Sequence, residues 1–283
     1  MKKKINIIAK ENISIIDCLK QEGLAKNKIK TYIKLGFIYI NNKKVIKLPI
    51  NVKIGDIITI DESITPTTNK FKIIYEDNNY LVVDKESGLL TISTSNQNKS
   101  TELTLYRLVR EYLNNKHEYA FIANRIDKET SGLVIFVKNE QLKEKLQSNW
   151  NNIVKKRGYI AIVSGLISKP GRIENYLYED KLTFSHSTRV GGKLAITNYI
   201  PIKTNNKYTM LDINIETGRK NQIRGHMTEM KHPIVGDKKY YSKDNSLKRL
   251  ALHHYEISLI DPITNQLLTF KSNIPKEFYV LFN

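Results

Sequence analysis

The order of strands and helices predicted after residue 71 restricts the fold more than any other feature of the sequence. Apolar residues recur there at strand or helix spacing, and strands outnumber helices. The predicted strands are 71–75, 80–84, 133–137, 158–164, 181–188, 194–202, 207–216, 251–258 and 266–270, and the predicted helices are 100–115, 139–149, 221–230 and 275–282. Strands and helices do not alternate as in a doubly wound sheet. We therefore expect residues 71–283 to form an α+β domain with a mainly antiparallel mixed sheet.

Residues 1–62 are expected to form a small α+β domain of their own. Helical spacing of apolar residues predicts a helix at 13–21, with Ser14 as its N-cap. A second helix is predicted at 26–35, followed by two short strands around an Asn-Asn turn, which is typical of a hairpin. The polar segment 63–70 is interpreted as a linker to the second domain.

The first domain carries half of the positive charge of the chain. Lys and Arg total 46 against 28 Asp and Glu, a formal charge of +18, and the 13 Lys and 4 acidic residues of positions 1–60 contribute +9. Such an excess favours a polyanionic partner. We expect phosphate contacts from Lys26, Lys28 and Lys30 on the second helix and from Lys43 in the hairpin. The alternative is a structural domain with a solvated lysine face.

Several kinds of site have no motif in the sequence. The single cysteine, Cys18, excludes an intrachain disulfide and a cysteine-based zinc site. There is no Walker A loop, no H-E-x-x-H and no G-x-S-x-G motif, and Gly191-Gly192-Lys193 is interpreted as a hairpin turn. We therefore expect neither a metal nor a cofactor. No apolar run approaches the ~20 residues of a membrane span and no signal peptide is visible, so a monomeric cytoplasmic protein is expected.

The segment from Asn124 to Phe136 is the strongest indication of chemistry. It places Arg125 and Asp127 just before a Thr-Ser-Gly turn and a strand that is apolar on both faces. Such a strand lies in the centre of a sheet and would hold the preceding loop rigidly. Taken alone, Asp127 is also explained as a turn residue that accepts hydrogen bonds from backbone amides.

Four ordered blocks of the second domain resemble the RluA-type RNA pseudouridine synthases. The segment 124–136 is similar to the family signature H-R-L-D-x-x-T-S-G-L. The other matching blocks are 75–89, 155–163 and 216–226, with continuations at 232–240 and 252–262. The first domain resembles a small RNA-binding module named after a ribosomal protein of the small subunit, through Gly36–Asn42 and Gly55-Asp56. Many members of the family carry that module.

Three positions depart from the family motifs. Asn124 stands where the family has His before the Arg, Asn221 where it has His before the Gln, and Glu86 where it has Pro after the Lys. The residues to which the resemblance assigns the reaction are all present.

The resemblance implies isomerisation of uridine to pseudouridine in structured RNA. It makes Asp127 the catalytic carboxylate and Arg224 the guanidinium that keeps Asp127 ionised, through a planar two-pronged contact. It also implies that Tyr159 lies against the target base and that Arg125 enters the space left by the flipped base. The residues do not decide whether Asp127 acts as a nucleophile or as a proton acceptor.

The RNA that we expect as the substrate is large-subunit (23S) ribosomal RNA, because of the N-terminal module, and tRNA is the alternative. A non-catalytic RNA-binding factor for ribosome assembly is a second interpretation, supported only by the three departures. A nucleobase glycosylase, which would release free base, is a third.

Overall fold

The computed structural model describes residues 4–45, 48–61, 71–93, 103–114, 116–180, 184–188, 191–240 and 242–283. Contacts between Cα atoms divide the chain into two units. The first comprises Met1–Phe71 and Ile92–Ala120, and the second comprises Lys72–Thr91 and Phe121–Asn283. The predicted linker at 63–70 lies outside the described residues, and the predicted domain boundaries stay a prediction.

The first unit mixes short strands and helices, and it includes the helix predicted at 100–115. Its strands are β1 (Lys4–Ile8), β2 (Ile13–Ser14), β3 (Ile38–Ile40), β4 (Lys43–Lys44), β5 (Asn51–Val52) and β6 (Ile57–Asp61), and its helices are α1 (Ile15–Gln21), α2 (Lys26–Leu35) and α3 (Leu105–Asn114). β6 lies between β1 and β3, and β4 pairs with β3. Leu19 of α1, Ile29 of α2 and Ile58 of β6 are fully buried, so helices and strands both contribute to the core.

Local sequence explains where α1 begins and where the hairpin turns. The Ser14 hydroxyl accepts a hydrogen bond from the Asp17 backbone N–H at 3.1 Å, so Ser14 is the predicted N-cap. Asn41 and Asn42 have φ angles of 48° and 63°, the left-handed conformations that a type I′ turn requires. The predicted hairpin is confirmed.

One large sheet forms the second unit. Its strands are β7 (Phe71–Glu76), β8 (Tyr80–Lys85), β9 (Phe121–Ile122), β10 (Ser131–Val137), β11 (Val154–Ser164), β12 (Gly171–Glu179), β13 (Ser185–Thr188), β14 (Lys193–Thr204), β15 (Tyr208–Ile215), β16 (Leu252–Ile260) and β17 (Leu267–Lys271). The order is β13-β12-β14-β15-β11-β16-β10-β8-β7, with β17 beside β16 and β9 beside β10. Most neighbours are antiparallel, whereas β10 and β16 are parallel. The predicted α+β fold with a mainly antiparallel mixed sheet is confirmed.

The helices of this unit are α4 (Glu140–Ser148), α5 (Trp150–Ile153), α6 (Gln222–Glu229) and α7 (Lys276–Val280). All seven residues of β10 are buried, as its apolar pattern predicted, so the loop before β10 is attached to the centre of the sheet. No helix in the described part of the chain combines the length and the apolar character needed to span a membrane.

Two features of the sheet differ from the prediction. β12 was not predicted, because its side chains alternate in exposure but not in polarity: the polar Asn175 lies on the less exposed face, whereas Tyr176 and Tyr178 are exposed. The interpretation of Gly191-Gly192-Lys193 as a hairpin turn is wrong. The strands on either side, β13 and β14, both pair with β12, which lies between them.

Candidate active site

The loop that carries Asp127 runs from β9 to β10 and is bound along its backbone by the loop that follows β8. Three hydrogen bonds join the two loops: Thr91 Oγ1 to the Ile126 carbonyl at 2.6 Å, Ser87 Oγ to the Glu129 carbonyl at 2.6 Å, and the Gly88 N–H to the Lys128 carbonyl at 2.9 Å. Because these bonds lie on both sides of Asp127, the carboxyl group projects from a fixed backbone.

Lys85, at the end of β8, strengthens the same connection. Its fully buried Nζ donates to the carbonyls of Glu86, Leu89 and Lys128 at 2.9, 2.7 and 3.0 Å. Burial lowers the pKa of Lys85 to about 7, and the nearby carboxyl groups of Glu129 and Asp127 oppose that shift. One side chain therefore ties the backbone of both loops together.

Arg224, in the first turn of α6, is held by a buried carboxylate. Its Nε and Nη2 donate to the two oxygens of Asp237 at 2.8 and 2.7 Å, and its Nη1 donates to Asn221 Oδ1 at 2.9 Å. The ring of Tyr240 lies 5.4 Å from the guanidinium carbon. The two-pronged contact expected with Asp127 is therefore made with Asp237 instead, because Asp237 offers both carboxylate oxygens to the planar fork.

Asp127 and Arg224 nevertheless lie side by side. Arg224 Nη1 is 3.9 Å from Asp127 Oδ2, within ion-pair distance but beyond hydrogen-bonding distance. The Asp127 side chain is 26% exposed and that of Arg224 is 6% exposed. Burial raises the pKa of the Asp127 carboxyl group, while the guanidinium groups of Arg224 and Arg125 oppose the increase. Arg224 therefore favours the ionised carboxylate in a site that otherwise disfavours it.

Tyr159 lies on β11 and lines the same small cavity as Asp127. Its side chain is buried, and its ring is stacked on the His254 ring with centroids 4.4 Å apart and an interplanar angle of 16°. Burial raises the pKa of the Tyr159 phenol, so the phenol is neutral at physiological pH. Tyr159 thus offers an aromatic surface and an O–H group that keeps its proton.

Two adjoining cavities bring these residues together. A small cavity of about 80 Å³ is lined by Asp127, Arg224 and Tyr159, among others. A larger cavity of about 390 Å³ is also lined by Tyr159, together with Trp150 and Arg157. Both cavities share Arg125, Tyr159, Ile215, Gly218 and Arg219. Arg125, which is exposed, thus lies at the opening next to Asp127.

The structure therefore places four of the residues predicted from sequence, Asp127, Tyr159, Arg224 and Arg125, around one site in the second unit. The predicted phosphate contacts lie in the first unit. Lys26, Lys28 and Lys30 are exposed on α2 and Lys43 is exposed in β4.

Two of the departures from the family motifs have structural roles here. Asn124 Oδ1 accepts the Ile135 N–H at 2.7 Å, which ties the Asp127 loop to β10. Asn221 precedes α6 with φ 51°, a left-handed conformation that Asn tolerates well, and its side chain accepts a hydrogen bond from Arg224.

Asp237 and Lys85 were not predicted as site residues, although both lie within matching blocks of sequence. Among the described residues, no group of three or more His, Cys, Asp or Glu could hold a metal ion.

Known RNA pseudouridine synthases are similar to this chain over most of its length. The family model described as RNA pseudouridylate synthase matches residues 79–229. An uncharacterised RNA pseudouridine synthase of Bacillus subtilis, YhcT, is 30% identical over 257 residues, 85% of this chain and 82% of the relative. The ribosomal large subunit pseudouridine synthase D of Borreliella burgdorferi is 33% identical over 232 residues, 78% of this chain and 71% of the relative.

Solved structures support the same fold. Human RNA pseudouridylate synthase domain containing 4 covers 74% of this chain and 90% of its own, with a TM-score of 0.59 and 20% identity. The family model spans more than half of the chain, and it includes Asp127, Tyr159 and Arg224. The chain therefore belongs to the RNA pseudouridylate synthase family and is an RNA-modifying isomerase.

Proposed function

We propose that this enzyme converts uridines of large-subunit ribosomal RNA to pseudouridine, with Asp127 as its catalytic carboxylate. The observation that carries the proposal is the placement of Asp127, Arg224 and Tyr159 around one cavity, with Arg224 Nη1 3.9 Å from the carboxylate. A carboxylate, a cation that keeps it ionised and an aromatic ring suffice for a reaction that needs no cofactor.

The reaction breaks the bond between ribose C1′ and uracil N1 and joins C1′ to C5. The proton on C5 is lost, and N1 gains a proton. Asp127 acts on the ribose, either as a nucleophile at C1′ or as an acceptor of a ribose proton, and both roles require the ionised form. Arg224 supports that form by its charge. Because Asp237 holds the guanidinium in place, this charge is fixed before the substrate binds.

Tyr159 and Arg125 act on the base. The target uridine has to leave its stack in folded RNA, at a cost of a few kcal/mol. Tyr159 presents a ring on which uracil stacks, and its hydroxyl assists removal of the C5 proton. The exposed side chain of Arg125, at the opening beside Asp127, fills the space that the base leaves.

Residues 1–62, within the first unit, serve as the RNA-binding module of the type named after a small-subunit ribosomal protein. Its support is the hairpin with the Asn41-Asn42 turn, the exposed Lys26, Lys28 and Lys30 on one helix, and exposed Lys43 in β4. The assignment to ribosomal RNA rests on this module and on relatives, from Borreliella burgdorferi and Pasteurella multocida, that are named ribosomal large subunit pseudouridine synthase D.

The test is to map pseudouridine in total RNA from cells that lack the gene. The cells are complemented with the wild-type protein, with Asp127→Asn, or with Glu129→Gln as a matched control. Glu129 is an exposed acid two residues away in the same loop. We expect sites in large-subunit ribosomal RNA to disappear without the gene and to return with the wild type and with Glu129→Gln. With Asp127→Asn they should stay absent, because an amide is nearly the same shape but cannot act as a carboxylate.

The other outcomes each contradict part of the proposal. If pseudouridine sites disappear only from tRNA, the substrate is tRNA and not ribosomal RNA. Release of free uracil from RNA by the purified protein would indicate a glycosylase. Restoration of the sites by Asp127→Asn would remove the carboxylate from its assigned role.

A further inference from the structure

His254 lies where the strands of the two catalytic segments meet. On β16 it pairs with Gly132 of β10, the strand that follows the Asp127 loop. On the other edge of β16 it pairs with Tyr159 of β11. His254 is thus the cross-strand neighbour of Tyr159. Its own strand, β16, carries no residue to which a catalytic role is assigned, so His254 contacts those residues across the sheet.

The backbones of β16 and β10 are in close contact where His254 pairs with Gly132. A Cβ atom built on Gly132 would lie 2.3 Å from the His254 carbonyl oxygen and 2.6 Å from its nitrogen. Gly132 also has φ +117°, a conformation that side chains rarely adopt. The backbone of His254 is therefore fixed against the strand that carries the Asp127 loop.

The His254 side chain is fixed as well. Nδ1 lies 2.8 Å from the Leu133 carbonyl oxygen, which can only accept a hydrogen bond, so Nδ1 carries the proton. The ring then lies almost parallel to the Tyr159 ring, with centroids 4.4 Å apart. His254 is 1% exposed, and it lines the larger cavity together with Tyr159.

The imidazole is neutral under physiological conditions. Burial lowers the pKa of His254 to about 4, and the positive charge of Arg157 beside it acts in the same direction. Because its only proton is bonded to the Leu133 carbonyl, the neutral ring does not donate that proton to a substrate. Its contact with a residue of the site is the stacking surface that it offers to Tyr159.

We propose that His254 is a positioning residue for the isomerisation, which holds the Tyr159 ring in the plane against which the target base stacks. The inference rests on the proposed role of Tyr159. The bond to Leu133 orients the imidazole, the imidazole orients the phenol ring, and Tyr159 is thereby kept at a fixed distance from the segment that carries Asp127. Without the imidazole, the phenol ring gains freedom to tilt towards the space that the imidazole occupied.

Three variants separate the ring from its hydrogen bond. His254→Phe keeps an aromatic ring but loses the donor to Leu133. His254→Asn keeps a donor but loses the ring, and His254→Ala loses both. We expect the single-turnover rate at saturating enzyme to fall by about tenfold or more in the Asn and Ala variants and by no more than about threefold in His254→Phe. The dissociation constant for RNA should stay the same in all three.

The unfolding temperature distinguishes positioning from a purely structural role. His254→Phe leaves the buried Leu133 carbonyl without its donor, so its unfolding temperature should fall although its rate is largely kept. Rates that follow the unfolding temperatures of the three variants, or a wild-type rate in His254→Ala, would overturn the inference.

A second measurement does not depend on activity. In protein with ¹³C-labelled tyrosine rings, the Tyr159 signals, assigned with Tyr159→Phe, should move and show faster ring rotation in His254→Ala and His254→Asn but not in His254→Phe. Unchanged Tyr159 signals in all three variants would refute the positioning role. A wild-type protein that does not isomerise uridine would instead refute the proposed function, whatever the spectra show.

Discussion

Arg224 divides its nitrogen atoms between a structural partner and a catalytic one. Nε and Nη2 bind both oxygens of buried Asp237, whereas Nη1 faces Asn221 and Asp127. The two hydrogen bonds that fix the guanidinium are thus made by other nitrogen atoms than the one that faces the catalytic carboxylate. We therefore expect different rates when the positive charge is removed and when only the two-pronged contact with Asp237 is removed.

We expect Arg224→Ala to shift the acidic limb of the activity profile to higher pH. Burial already raises the pKa of Asp127, and removal of the opposing guanidinium raises it further, so the ionised form is reached only at higher pH. The single-turnover rate should therefore fall most at about pH 6 and recover in part as the pH increases. Arg224→Lys keeps the charge but cannot bind Asp237 with a fork, so its rate should be intermediate.

Arg219→Ala is the matched control. Arg219 lines the same cavities, and its Nε donates to the Leu194 carbonyl at 2.8 Å. This variant should weaken RNA binding without a shift of the acidic limb. If the acidic limb does not shift in Arg224→Ala, Arg224 does not control the ionisation of Asp127.

Single residues show what the sequence can predict about such a site. Asp127, Tyr159 and Arg224 were found because each lies in a recognisable block. Their mutual geometry was not predictable, because Arg224 lies 97 positions from Asp127. For residues so far apart, the spacing in the sequence does not determine the distance between them in the fold. The partner of the Arg224 fork was misassigned, since a nearby acid in the fold, Asp237, competes for the same donors.

The clamp between the two loops shows how elements determine the position of the carboxylate. The loop after β8 and the loop before β10 are joined by Lys85, whose ammonium group satisfies three backbone carbonyls in the interior. A buried carbonyl that loses its donor costs about 1–3 kcal/mol.

We therefore predict that Lys85→Met loosens both loops. The free energy of unfolding should fall by at least about 1 kcal/mol, because three carbonyls lose a donor. Amide hydrogen exchange should accelerate in residues 86–91 and 126–130. The control is Lys72→Met on the adjacent strand β7, where the lysine is exposed and exchange in these loops should not change. Wild-type exchange in Lys85→Met would show that the other bonds between the loops are sufficient.

The elements that were predicted correctly are those with a strong apolar pattern. β10 has seven consecutive buried residues, and the sequence predicted both its position and its central place in the sheet. β12 escaped prediction because its polar and apolar residues do not follow the alternation of its exposure, and it is recognised only through its pairing with β13 and β14. Such a strand is formed by its neighbours rather than by its own pattern.

At the scale of the whole molecule, positive charge is concentrated in the first sixty residues, which carry half of the formal +18. Lys26, Lys28, Lys30 and Lys43 are all exposed there. If they bind phosphates, each releases counterions when RNA binds, and the affinity depends on salt accordingly.

We predict that replacing Lys26, Lys28, Lys30 and Lys43 by Gln lowers the slope of log affinity against log salt concentration by roughly one per lost contact for duplex RNA. The rate at saturating enzyme should not change, because these lysines belong to the first unit. The control removes the same charge from exposed lysines of the second unit, Lys145, Lys169, Lys203 and Lys271, and should leave a steeper slope. Equal slopes for the two variants would mean that the first unit does not contact RNA.

The order of strands also determines when, during synthesis, the site can first exist. β10, which follows Asp127, and β11, which carries Tyr159, are separated in the sheet by β16, which is translated last of the three. Until residues 252–260 have left the ribosome, the two segments share no strand that could hold them side by side. We therefore expect a nascent chain to be inactive on RNA until β16 has been made, although most of the chain precedes β16. A product cut before β16 should likewise be inert, although it contains Asp127, Tyr159 and Arg224.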